Sequence, residues 1–172
     1  MGTRLKVRLV LACIVLGIIL IMRLVNGSRV TFSPANMSLD AGKGWRIVKM
    51  PAMLPVCSPS LISQAGTINA LLLDEELTEV KAAAEKLKSG LVASGKASAD
   101  AFQLEDFTTA SGLAGVHFSY AGTSAKNGTS VRSHHFITRN MHSRCVDISY
   151  ITSPEQESAS VIAAIMKTLR VE

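Results

Sequence analysis

Past its first stretch this chain has almost no excess charge. Four of its eighteen bases (Arg4, Lys6, Arg8 and Arg23) lie within residues 1–27, which hold no acid, so fourteen bases face thirteen acids in the rest. A nucleic-acid-binding surface keeps a basic excess on its folded part to neutralise phosphates, so nucleic acid is not an expected partner. Cysteine is scarce as well: Cys13, Cys57 and Cys145 are the whole set. No internal repeat is visible, and the C-terminal TLRVE carries no retention or prenylation tag. Lys6 stands where an N-myristoylation signal needs Ser or Thr, which removes that address. The apolar excess is concentrated near the N-terminus and does not describe a polytopic membrane protein.

What is present there is a basic start, MGTRLKVR, followed by fourteen apolar residues from Leu9 to Met22 and then Arg23. As a helix that run rises about 21 Å, short of the roughly 30 Å hydrocarbon core. The length suits the apolar region of a secretory signal, with cleavage after Gly27. It also suits an uncleaved anchor in which Arg8 and Arg23 snorkel and residues 7–25 span a thinned bilayer. Leu11-Ala12-Cys13 resembles part of a lipoprotein signal, but the apolar run continues well past Cys13. In both surviving readings the basic start stays cytoplasmic and the rest is exported. The expected location is therefore extracytoplasmic: single-pass in an inner or plasma membrane, or periplasmic or secreted after cleavage. Membrane lipid is the partner expected for the N-terminal segment.

The expected organisation is a leader over residues 1–27, a linker over 28–36 within NGSRVTFSPAN, and one domain over 37–172. Residues 37–49 suggest a hairpin about a Gly-Lys-Gly turn, and Pro51, Pro55 and Pro59 an irregular loop around Cys57. Residues 66–73 read as a strand. Asp74 reads as the cap of a helix whose Leu77, Val80, Ala84, Leu87 and Leu91 form one stripe. Four strands follow: 102–108, 116–120, 131–140 and 144–152. Ser153, Pro154 and Gln156 have the spacing of a helix start, with Val161, Ile162, Ile165, Thr168 and Leu169 facing inward. Strands joined by short turns run antiparallel, and two amphipathic helices can cover both faces of such a sheet. The expected class is α+β: an antiparallel β-sheet flanked by helices in a three-layer α/β/α sandwich.

Three stretches carry a resemblance: GWRIVKMP, EDFTTASGLAGVHFSY and SRCVDISYITSPEQESASVIAAIMKTLRV. Together they resemble the PsbP-like family, whose fold is shared with a small Ran-binding nuclear-import factor. The likeness covers most of residues 37–171 and its motifs specify a topology, not a chemistry. It implies the PsbP-like sandwich and a non-enzymatic character. Plant and cyanobacterial members are lumenal subunits of photosystem II, and other bacterial members are exported. No cofactor is implied, and the protein partner has no identity in the sequence.

Candidate chemistry is thin. In an oxidising compartment Cys57 and Cys145 could form a disulfide worth about 4–5 kcal/mol by chain entropy; the alternative is two separately buried thiols. His117, His134, His135 and His142 fall close together, near Cys145 and Asp147. Adjacent His134 and His135 must face opposite sides of a strand. A metal set would therefore use His117 with one of them, plus Cys145 or Asp147, without the spacing of a strong zinc motif. A Cys–His hydrolase would need Cys57 or Cys145 beside a histidine and an oxyanion donor. Two functions follow as expectations: an exported accessory domain that binds another membrane or envelope component, or a small ligand- or metal-binding domain using the histidine-bearing face.

Overall fold

From residue 105 the chain reverses three times through short turns, and each reversal sets the next strand antiparallel to the last. The strands are β6 (Glu105–Thr108), β7 (Ala114–Thr123), β8 (Ser130–Arg139) and β9 (Cys145–Thr152). Three earlier strands extend this meander: β3 (Arg46–Val48), β4 (Val56–Ser63) and β5 (Gly66–Leu72), with β5 beside β9. The result is a seven-stranded antiparallel sheet ordered β3-β4-β5-β9-β8-β7-β6. A second sheet joins β1 (Arg29–Phe32), β2 (Met37–Asp40) and the terminal β10 (Arg170–Val171). The helices are α1 (Val80–Ala93) and α2 (Ala159–Thr168). This is an α+β fold dominated by antiparallel sheet. The structure is a computed structural model, and it describes residues 29–49, 56–98, 102–124 and 128–172. The expected membrane segment from Leu9 to Met22 lies outside the described residues; among those described, no helix is long and apolar enough to cross a membrane.

Side chains alternate across a strand, so the large sheet has two apolar faces with separate covers. On one face Leu61, Ile68, Phe136, Ile148 and Tyr150 pack with Val161 and Ile165 of α2 and with Phe32, Met37 and Leu39 of the small sheet. On the other, Val116, Phe118, Ile137 and Cys145 pack against Ala83 and Ala84 of α1. Alanines at the contact let the helix backbone approach the sheet closely. Phe107 meets the Phe136 ring edge-on at 6.0 Å.

Several expectations are corrected. Residues 29–32, assigned to the linker, form β1, which pairs with β2 from Arg29↔Asp40 to Phe32↔Met37. Its Val30 and Phe32 are buried; polar neighbours hid an alternating apolar face. Residues 37–49 are not a hairpin, because β2 joins β1 and β10 while β3 crosses to β4. The proline-rich stretch holds β4, with Pro59 inside a register shift between Cys57 and Leu61. A bulge is where a strand tolerates a residue without an N–H donor. Asp74 does not cap a helix: its carboxylate takes a hydrogen bond from Lys86 Nζ at 2.8 Å, and α1 starts at Val80. Ser153 makes no side-chain cap either. Pro154–Gln156 forms a single 3-10 turn, and α2 begins at Ala159. The intervening Glu157 is drawn to the sheet by His134 and Arg132.

Candidate functional site

Three of the four histidines lie in the middle of the large sheet, and all three are buried. His117 is on β7, and His134 and His135 are neighbours on β8. The register pairs His117 with Phe136 and Ser119 with His134, which sets His117 diagonally against His134 on the face covered by α2. His135 and Asp147 share the opposite face, where Phe118 lies across from His135. His142 stands apart in an exposed turn.

On the α2 face the polar groups form a chain. His134 Nε2 lies 2.7 Å from Glu157 Oε1, and Glu157 Oε2 lies 3.4 Å from Arg132 Nε. An ionised carboxylate only accepts, so the hydrogen on His134 belongs to Nε2 and its Nδ1 accepts in turn. The donor to that Nδ1 is His117 Nε2, at 3.2 Å. His117 Nδ1 is buried and has no hydrogen-bond partner among the described residues. It lies 3.7 Å from Glu105 Oε2. Burial pushes His117 below the ordinary imidazole value, and the neighbouring charge of His134 adds to this, against the pull of Glu105. Burial also lowers His134, opposed by its hydrogen bond to Glu157. The rings stack: His117 lies 4.7 Å from Phe136 and 5.4 Å from His134, and His134 lies 5.7 Å from Tyr150.

On the α1 face His135 Nδ1 lies 2.8 Å from Asp147 Oδ2, and the imidazole stacks on Phe118 at 4.9 Å and Tyr120 at 5.7 Å. His135 Nε2 and Asp147 Oδ1 are buried without hydrogen-bond partners. The dyad has the first two members of a nucleophilic triad, but among the described residues no hydroxyl or thiol hydrogen-bonds Nε2. Asp147 orients the ring and the aromatic rings clamp it.

The sheet thus divides the metal set weighed from the sequence, with His117 and His134 on one side and His135, Asp147 and Cys145 on the other. Among the described residues, no three His, Cys, Asp or Glu side chains converge in the manner of a metal site. Of the two alternatives weighed for Cys57 and Cys145, the structure shows separate burial without a bridge between them. Cys57 lies opposite Ala70 in the core under α2, whereas Cys145 belongs to the core under α1. Both thiols are raised above their ordinary range by burial, so neither is held as a nucleophilic thiolate. Sequence reasoning missed Glu105 and Glu157, whose link to the histidines is made by strand register and by the turn after β9.

Two grooves among the described residues lie away from the histidines. A groove of about 910 Å³ separates the β2–β3 loop from the β4–β5 hairpin and the start of α2. Lys43, Trp45, Arg46, Gln64, Ser158 and Ser160 line it. A smaller trough of about 430 Å³ runs between α1 and β5, walled by Leu71, Leu73, Leu87 and Leu91.

No protein-family model matches this chain, and no curated protein does. Among solved structures, a protein from Bacteroides thetaiotaomicron VPI-5482 determined at 1.50 Å is similar, with a TM-score of 0.56 at 15% identity. The match covers 85% of this chain and 48% of that one, so this chain spans about half the length of its structural neighbour. At that identity the likeness is one of fold alone.

Proposed function

We propose that this chain is an exported, non-enzymatic accessory domain of PsbP-like, three-layer α/β/α architecture, which works by docking on another membrane or envelope component. Support for the sandwich comes from α1 and α2 packing on opposite faces of one sheet. Support for export comes from the basic start and apolar run of residues 1–27. The observation that carries the accessory role is where the reactive groups are. The buried imidazoles are taken up by one another and by carboxylates inside the sheet, while the larger opening is a groove at the sheet's β3 end. A catalytic cleft brings its acid, base and nucleophile together at a cavity wall; here the buried histidines, Glu157 and Asp147 line neither of the two grooves described.

The test is site-specific photo-crosslinking of the full-length chain in its own membranes, from exposed positions such as Ile47, Met141 and Lys167. The proposal expects a discrete protein adduct from one region of the surface, and no turnover of ester, amide or phosphoester substrates. Absence of adducts from every position would overturn it, as would measurable hydrolysis.

A second reading has one specific observation in its favour. His117 Nδ1 is buried, has no hydrogen-bond partner among the described residues and lies 3.7 Å from a Glu105 carboxylate oxygen, and an imidazole nitrogen and a carboxylate oxygen are both groups that bind metal ions. In this reading the domain holds a small ligand or metal on its histidine-bearing face. Metal analysis of protein purified without an affinity tag separates the two, because a stoichiometric ion supports only the second.

A further inference from the structure

The large sheet ends at β3, and that end is open, apolar and basic at once. β3 pairs with β4 along one edge; among the described residues no strand pairs with the other. Ile47 is 60% exposed and Val48 37%, pointing to opposite sides of the strand. Over residues 40–49 the sequence DAGKGWRIVK holds three bases and one acid. The acid, Asp40, accepts from the backbone N–H of Gly42 at 2.9 Å. Lys43, Arg46 and Lys49 are exposed, and none of them enters an ion pair among the described residues. Elsewhere Lys81, Lys86 and Lys88 each face a carboxylate within 3.5 Å, and the exposed bases without an ion pair among the described residues, Lys96, Arg139 and Lys167, are not gathered in one short stretch of chain as Lys43, Arg46 and Lys49 are. Lys43 and Arg46 also line the groove of about 910 Å³, together with Trp45.

We infer that β3 and this groove receive an extended acidic segment of the protein partner, which adds as a further strand at the sheet edge. The inference rests on the accessory reading and names the chemistry of its partner. An exposed edge offers unpaired N–H and C=O groups, and strand addition gives affinity through them while side-chain pockets give selectivity. Basic side chains on such an edge repel basic strands and leave wholly apolar ones without charge partners, but accept one carrying carboxylates. A lone small anion would neutralise Lys43 and Arg46 yet leave Ile47, Val48 and the edge backbone uncovered. A flat bilayer surface does not fill a groove. An extended chain meets all three requirements: alternate side chains point to the two faces, so carboxylates reach the bases while apolar residues lie on Ile47.

Trp45 is the chain's sole tryptophan and lies in the groove, so intrinsic fluorescence reports on this site. The experiment titrates the full-length chain, in neutral detergent, with a synthetic alternating Glu–Thr peptide. The expected result is a saturable change in emission that weakens as salt is raised. The same titration of a Lys43→Glu, Arg46→Glu variant should show binding about tenfold weaker, with thermal unfolding unchanged because both positions are exposed. A Lys–Thr peptide should produce no change. Equal response to the two peptides, no response to either, or an unaltered response in the charge-reversed variant overturns the inference. Binding to anionic vesicles in preference to the Glu–Thr peptide overturns it in favour of a lipid surface. Crosslinking keeps this separate from the wider reading: adducts from Met141 but none from Ile47 would remove the β3 site and leave an accessory domain. The absence of adducts from all positions removes both.

Discussion

His117 and His134 bind their protons less tightly in the fold than in the unfolded chain, because burial disfavours the imidazolium. The unfolded chain therefore takes up protons first as pH falls through about 6.5. Their contribution to stability is complete above that value and is lost as pH falls through the lowered folded values. Urea unfolding across this acidic range should show a falling midpoint, and a His117→Gln, His134→Gln double variant should show a flatter dependence. Equal slopes in the two proteins would contradict the assignment. Asp147 makes a separate prediction. Its carboxylate lies 2.8 Å from His135 Nδ1, and both side chains are almost inaccessible. Asp147→Ala should cost about 3 kcal/mol in urea unfolding, whereas Asp147→Asn, which keeps an acceptor for Nδ1–H, should cost about 1 kcal/mol. That His134 and His135 diverge could be read from strand periodicity alone. That Glu157 completes the row could not, since it lies 23 residues from His134 in a turn whose path depends on the finished sheet.

Among the elements, the β4–β5 hairpin is the most sharply determined. Gly66 has φ +132°, a conformation that L side chains rarely adopt, and a Cβ there would collide with the Ile151 carbonyl oxygen of β9. Gly66→Ala should destabilise the fold by about 3 kcal/mol or more, measurable as a large drop in thermal midpoint. A neutral result would mean that β5 does not lie against β9. The legibility of the elements follows their composition. β7, β8 and β9 and the stripes of both helices were visible because apolar residues recur at the strand or helix period. β1 and β4 were hidden because Ser, Pro and Asn fill their flanks, and what makes them strands is tertiary: the pairing of Val30 and Phe32 with β2 and a bulge at Pro59. The helix starts were placed too early because Asp74 and Ser153 have capping chemistry, while Asp74 is spent on Lys86 and the chain after Ser153 bends to deliver Glu157.

For the molecule as a whole, two cores on opposite sides of one sheet explain why its thiols stay apart. Cys57 and Cys145 belong to different cores, so reductant should leave the melting temperature unchanged, and both thiols should alkylate only after denaturation. A mass consistent with a Cys57–Cys145 bridge, or a melting temperature that falls with reductant, would contradict this arrangement. The same architecture puts the polar groups of the sheet out of reach and leaves its β3 end available for contact, which suits a domain that works by being held against something else. That account requires the domain to be delivered across a membrane by the apolar stretch before Arg23. The most direct measurement is a reporter enzyme fused to the C-terminus and active only outside the cytosol. The account predicts full reporter activity in cells; an inactive fusion, with a cytosol-dependent reporter active in its place, would contradict it.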